Sequence, residues 1–396
     1  MSFIIDTATD VTRVLSGTDT GLVTEFGQIN TGSRPAVRMS GTSSLTVEGQ
    51  VFSNGPLATV LSGGSVGLTI EVAASGYLAG GAAGAINVTF LTAFTLMNAG
   101  SIVGLDNGLV TLTGGALTSV AHISNSGIVR WSGSGNGTAG FTLNNSALDL
   151  VNSGEFTSIG TGNGADRVEN LGLIDALTLA GGADVIINRA GAEVRGAVDL
   201  GAGNDRIVNM GTFSNQFGVA INMGDGRDQF LGLTGHAGIV YGGKGNDILR
   251  NGSEGRLYGG NGNDVLISSS ADGAEGFNAA DLFGGAGNDK MTIARNGTMT
   301  GGTGSDDFIL AWSAAADWPF GSVMITDFDK AADRLDLSSL GFADVAEALS
   351  HFVQGSSGVA FDYAVGPPGS ETFAFLLMVE GALPLTVADM ADALIV

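Results

Sequence analysis

Eight aspartates follow Gly-rich corners in the second half of the chain: Asp166, Asp184, Asp205, Asp228, Asp247, Asp264, Asp289 and Asp306. They are spaced 18, 21, 23, 19, 17, 25 and 17 residues apart. Four sit in a repeated octamer: "GGKGNDIL" (242–249), "GGNGNDVL" (259–266), "GGAGNDKM" (284–291) and "GGTGSDDF" (301–308). Upstream, "GNGAD" (162–166), "GAGND" (201–205) and "GDGRD" (224–228) keep G-x-G-x-D, and "AGGAD" (180–184) is weaker. One carboxylate per turn, among glycines that let main-chain carbonyls point to one side, suits a hard cation. Calcium takes about six to eight oxygens in flexible geometry, carbonyls included. Each octamer is then half a site, and stacking the next one on it completes the shell. Besides the eight aspartates, the expected ligand set comprises Gly203, Gly226, Gly243, Gly245, Asn246, Gly260, Gly262 and Asn263, then Gly285, Gly287, Asn288, Gly302 and Gly304. Eight loops on one edge leave seven gaps at most, and with some degenerate loops empty about three to six calcium ions are expected.

Such loops must be held in register by something that repeats with them. A second phrase, apolar-x-Asn-x-Gly-x-apolar, runs in step, as in "LMNAGSI", "ISNSGIV", "LVNSGEF", "VENLGLI" and "IVNMGTF". Its asparagines are Asn98, Asn125, Asn152, Asn170 and Asn209, with Asn188 in a longer variant. Short segments with alternate apolar positions between Gly/Asn corners predict an all-β fold, a right-handed parallel β-helix or β-roll solenoid. Glycine and asparagine supply the left-handed angles that sharp corners need, and stacked asparagines can hydrogen-bond in a ladder. An antiparallel sandwich would not need repeats in step. The expected divisions are an N-terminal cap (1–35), a parallel β-helix without cation motifs (36–155) and a cation-binding β-roll (156–310). From 311 to 396 a mixed, mostly β capping region follows, with a helix in "ADVAEALSHF" and strands around "FDYAV" and "TFAFLLMV".

Composition narrows the partners. The 396 residues include 66 glycines and no cysteine, which removes disulfides and thiolate metal sites. Net charge is −23, of which residues 1–150 carry −4 and residues 151–396 carry −19. So acidic a chain disfavours nucleic acid and anionic membranes and favours a cation. The uncharged stretch between Glu71 and Asp106 has glycines, Asn87 and β-branched residues that fit buried strands better than a membrane span. The N-terminus "MSFIIDTATDVTR" lacks the basic and apolar regions of a cleaved signal peptide.

The octamer resembles the glycine-rich nonapeptide G-G-x-G-x-D-x-U-x of secreted haemolysin-type (RTX) calcium-binding proteins. Members of that family usually run the motif in tandem, two per coil; here one occurs per coil, so one ladder is implied. "ITDFDKAADRLDLSSLGF" (325–342) is similar to the segment that closes such rolls, and "LTVADMADALIV" to the uncleaved C-terminal signal for type I export. The resemblance implies a calcium-binding protein secreted by a Gram-negative bacterium through a type I exporter. It would fold on export and serve a structural, surface or adhesive role, with cell-surface or matrix polysaccharide as a further partner.

Chemistry beyond ion binding is not evident in the sequence. The three histidines, His122, His236 and His351, form no HExxH. "GGSVG" (63–67) matches G-x-S-x-G without its strand-turn-helix setting, and Ser65 reads as a corner residue. An enzyme acting on an acidic polysaccharide, lyase or alginate-epimerase-like, is the alternative; it needs a charged cluster, and none shows at solenoid spacing within 26–150. The expectation is a non-enzymatic protein.

Overall fold

The computed structural model describes the chain apart from residues 82–83, 105–108, 117, 132–139, 145, 215–219, 234–237, 253–254, 269–278, 295, 312–319, 357, 366–372 and 381–384. The polar excursion at 268–281, the aromatic stretch at 312–320 and His236 fall wholly or largely outside the described residues. Nearly all described elements are strands, beside one short helix, Val345–Leu349, and two 3-10 turns. The chain divides into two compact units, Met1–Arg206 with Gly211–Asn215, and Ile207–Met210 with Gln216–Val396.

In the first unit each coil lays down strands that pair in parallel with the coils before and after. Three faces result. Face b includes Phe141–Asn144, Ile159–Thr161 and Leu177–Thr178. Face a includes Ala147–Asn152, Arg167–Asn170 and Val185–Asn188. Face c includes Ile128–Trp131, Glu155–Phe156, Leu173–Ile174, Glu193–Val194 and Thr212–Phe213. Alternate residues point inward, so Leu148 and Leu150, then Val168 and Ile186, stack as a buried column. Residues 1–35 differ from the expected cap: Phe3–Ile5, Ala8–Thr9 and Arg13–Leu15 already pair in parallel with Thr20–Val23, Gln28–Thr31 and Val37–Met39. Their Ile5 and Leu15 supply inward residues as any later coil does.

The corner between faces a and c is held by the expected asparagine ladder. Each side-chain Nδ2 donates to the next Oδ1, from Asn98 to Asn125 (2.7 Å), Asn125 to Asn152 (2.7 Å), Asn152 to Asn170 (2.9 Å) and Asn170 to Asn188 (3.0 Å). The same amides also donate to main-chain carbonyls of their own and the following coil, such as Gly154 and Leu173 from Asn152. All five asparagines are buried, which an amide tolerates only when its hydrogen bonds are satisfied.

Among its described residues the second unit has two faces, also labelled a and b. Face b strands lengthen, as in Ile239–Lys244, Gly255–Asn261 and Asn296–Thr303, and face a continues through Ile248–Asn251, Val265–Ser268, Lys290–Ile293 and Asp307–Leu310. Three-faced coils extend to Thr212–Phe213, so the first three aspartate corners lie on three-faced coils. The expected C-terminal helix is present, with the Asp344 carboxylate accepting the Glu347 amide as its N-cap. The expected strands form an antiparallel hairpin, Gly358–Val365 with Phe373–Glu380. Leu394–Ile395 then pairs in parallel with Arg334–Asp336, making the chain end a strand of face a.

Candidate functional site

In each unit the aspartates lie at the corner where face b passes into face a, Asp166, Asp184 and Asp205 in the first and Asp228, Asp247, Asp264, Asp289 and Asp306 in the second, and their side chains turn inward. Every one is 2% exposed or less. In the second unit Oδ1 of Asp247, Asp264, Asp289 and Asp306 accepts the main-chain N–H of the counterpart one coil earlier. Asp228 donates to Asp247, Asp247 to Asp264, Asp264 to Asp289 and Asp289 to Asp306, each at 2.8 Å. In the first unit Asp166 donates to Asp184 and Asp184 to Asp205 in the same way, at 2.8 and 2.7 Å, while Asp166 itself accepts from Leu148. The second oxygen is different. Oδ2 of Asp184, Asp247, Asp264 and Asp289 is buried with no hydrogen-bond partner among the described residues. Leaving such an oxygen unsatisfied is costly.

The loop outside the aspartates is close-packed main chain. Gly243 and Gly245 adopt φ of 110° and 125°, angles that L side chains rarely take. A Cβ on Gly245 would stand 1.6 Å from the Gly226 carbonyl oxygen, and one on Gly262 would stand 1.6 Å from that of Gly245. The loop carbonyls therefore point along the stack, each toward the glycine of the next loop. Neighbouring loops also bond directly, Gly245 N–H to the Asn261 carbonyl (2.8 Å) and Gly262 N–H to that of Ala286 (2.7 Å). On the exposed side the Asn246 side chain accepts the Asn263 amide and the Asn263 side chain accepts the Asn288 amide, both at 2.8 Å. Gly285, Gly287, Gly302 and Gly304 repeat the positive angles, as do Gly203, Gly226 and Gly260.

Burial governs the charge of this column. Desolvation pushes the Asp184 carboxyl up to about 8, with its Asp166 amide bond opposing and the neighbouring Asp166 and Asp205 carboxylates adding to the rise. Asp264 is pushed up to about 7 for the same reason, with Asp247 and Asp289 adding to it. Asp166, Asp205 and Asp306 rise to about 6, again chiefly by burial, and Asp247 and Asp289 are raised as well. Among the described residues no three His, Asp or Glu side chains converge as a ligand group. A cation at this edge would therefore take most of its oxygens from the main chain, with one carboxylate from each loop, a mixture that calcium accepts.

Two residues of the site carry no G-x-G signal. Asp333 extends the column: its Oδ1 accepts the Asp306 amide (2.9 Å) and its Oδ2 the Asp329 amide (2.7 Å). Asp327 covers the last octamer, accepting the Gly301 and Gly302 amides at 2.9 and 2.7 Å. The sequence hint is their place in "ITDFDKAADRLDLSSLGF" (325–342), the segment similar to the one that closes haemolysin-type rolls. Gly242, Gly259, Gly284 and Gly301, the first residue of each octamer, belong to the site too. A Cβ on any of them would meet Oδ2 of its own octamer's aspartate at 2.4–2.5 Å.

Elsewhere one reading holds and one is corrected. Ser65 lies at a corner within Val60–Val72, as read, and is fully buried with its hydroxyl 2.5 Å from that of Ser62. Ionisable residues do meet at coil spacing: His122 Nδ1 is 3.2 Å from Asp149, which is 3.4 Å from Arg167. Their separation of 27 and 18 residues hides the contact in the linear sequence. No family model and no curated protein matches the chain, and no helix among the described residues is long and apolar enough to cross a membrane.

Proposed function

We propose that this chain is a calcium-binding β-solenoid whose Gly/Asp edge is completed by ions between successive coils. The observation that carries this is the buried Oδ2 atoms of Asp184, Asp247, Asp264 and Asp289, each without a hydrogen-bond partner beside stacked loop carbonyls. A divalent cation would use that oxygen and offset the cost of burying its charge. The residues that would hold it are the aspartates with the carbonyls of their loops, Gly243, Gly245 and Asn246 in the first full octamer and their counterparts after it. The likeness of four octamers to haemolysin-type repeats supports secretion by a Gram-negative type I exporter and a surface, matrix or adhesive role.

Equilibrium dialysis with metal analysis tests the reading. At about 5 mM calcium, above the Kd of ~10⁻⁴–10⁻³ M common in extracellular modules, roughly three to six ions should bind per chain. At a hundredfold excess over Kd each site adds about 2.7 kcal/mol to stability. Asp264→Asn should lower the stoichiometry, since its loop faces neighbours on both sides. A wild-type chain that binds no calcium and gains no melting temperature from it would overturn the proposal.

A further inference from the structure

Five Asn-Gly pairs lie among the described residues, beginning at Asn54, Asn163, Asn251, Asn261 and Asn296. Asparagine is thermolabile, and a following glycine has no Cβ to keep its main-chain nitrogen from the asparagine side chain. Four of the pairs are restrained. Asn251 is buried, the Asn296 side chain accepts the Ser322 amide at 2.7 Å, and the Gly55 amide donates to the Ser53 hydroxyl at 3.3 Å. Gly262, after Asn261, is held at φ 135° and donates to the Ala286 carbonyl at 2.7 Å. Asn163 is different. It is exposed, and neither its side chain nor the Gly164 N–H makes a hydrogen bond among the described residues. Its Oδ1 lies over Gly181 of the following coil, which has no side chain to hold it.

We propose that Asn163-Gly164 is a self-modification site, a slow chemical clock set in the first coil of the Gly/Asp edge. The Gly164 main-chain nitrogen attacks Asn163 Cγ. An N–Cγ bond forms, the Cγ–Nδ2 bond breaks, and the proton of the attacking nitrogen leaves with the ammonia. Water then opens the succinimide at either carbonyl, giving aspartate or isoaspartate. One water is taken up and one ammonia released. No other residue takes part, because the nitrogen has only to reach the side chain beside it in the chain.

Asn261 is a built-in comparison. Both asparagines stand in the triplet Gly-Asn-Gly, both are exposed, and each precedes a column aspartate, Asp166 or Asp264, by three residues. Unfolded, the two should react alike. Folded, only Asn261 must wait for a main-chain bond to open, since the Gly262 proton is committed to Ala286. Opening a bond of that kind slows attack by roughly tenfold. The product matters to the coil. Isoaspartate routes the main chain through the side-chain carbon and so lengthens the loop. Little slack exists to absorb it: a Cβ on Gly164 would stand 2.2 Å from the Ser146 carbonyl oxygen, and Asp166 is tied to the Leu148 amide at 2.7 Å. Isoaspartate at 163 should therefore loosen the Asp166 corner.

The test ages the full chain at mildly alkaline pH, folded in calcium and, in parallel, unfolded in urea. Peptide mass spectrometry reads the exchange of amide for acid at each asparagine, and isoaspartyl methyltransferase labelling reads isoaspartate. In urea Asn163 and Asn261 should convert at similar rates. In the folded chain Asn163 should keep close to that rate while Asn261 falls about tenfold behind it. Equal rates at the two positions in the folded chain, or a slower Asn163, would overturn the proposal. Hydrogen exchange follows the consequence: aged protein should exchange the amides of residues 165–168 faster than fresh protein. Asn163→Asp, which has the new charge on a main chain of ordinary length, should not. Unchanged exchange in protein shown to carry isoaspartate at 163 would overturn the loosening. The comparison of Asn163 with Asn261 stands whether or not the edge binds calcium.

Discussion

Gly259 has an inward position that any other residue would fill. Its absent Cβ leaves room for the Asp264 carboxylate, which a methyl would approach to 2.4 Å, and for the Gly284 carbonyl at 2.6 Å. Gly259→Ala should therefore cost about 1–3 kcal/mol, the usual penalty of overpacking, seen as a lower melting temperature with or without calcium. Gly63→Ala, where nothing lies within 4 Å of the added atom, serves as control and should change stability by less than ~0.5 kcal/mol. The raised carboxyls give a second expectation. Folding raises the pKa of Asp184 to about 8 and Asp264 to about 7 from 3.8. Between those limits the native state binds more protons than the unfolded one, so ion-free stability falls as pH rises. In a chelator the melting temperature should climb from pH 8 to pH 5. With calcium the gradient should flatten or reverse, because the ion competes with the protons. The spacing of the aspartates was legible in the sequence, but their inward turn was not. It depends on the first glycine of each octamer facing the core, and G-G-x-G-x-D alone does not say which glycine that is.

The elements show the same division between what periodicity reveals and what packing decides. In-step asparagines announced a corner ladder, and Asn98 to Asn188 form one. Asn152→Ala should cost about 1–3 kcal/mol, since it takes one acceptor from the Asn125 amide and removes three bonds donated by the Asn152 amide. Circular dichroism melts would register the loss, while calcium stoichiometry should not move. The persistence of face c to Phe213 was not legible, because coils of similar length can fill three short faces or two longer ones. The C-terminal strand was also hidden. "DALIV" reads as an appended tail, yet Ala393 and Leu394 are at most 9% exposed and their segment accepts the Leu335 and Leu337 amides. Deleting residues 392–396 should lower the melting temperature of the calcium-loaded protein; an unchanged melt would show that the strand is dispensable.

For the whole molecule, charge sets the conditions under which the coils persist. Residues 151–396 carry −19, and the ion-free chain repels itself through solvent. Raising sodium chloride from 0.01 to 0.15 M shortens the screening length from ~30 to ~8 Å, so the ion-free melting temperature should rise. Calcium should give a larger rise at millimolar concentration, where its contribution to screening is minor. Equal effects at equal ionic strength would identify plain screening instead of sites.

In the second unit the bonds to the buried aspartate carboxylates run one way: the donor is on the earlier coil and the acceptor on the later one, ending at Asp333, which is held by Asp329 from its own segment. The asparagine bonds at the same edge run the opposite way, but they are exposed and water can replace them. A buried amide has no such substitute, so each coil is fully satisfied only after its successor has been wound. Each of these amides, from Asp228 to Asp306, therefore depends on a carboxylate that lies further along the polypeptide. Synthesis from the N-terminus delivers each of these amides before the carboxylate that accepts it.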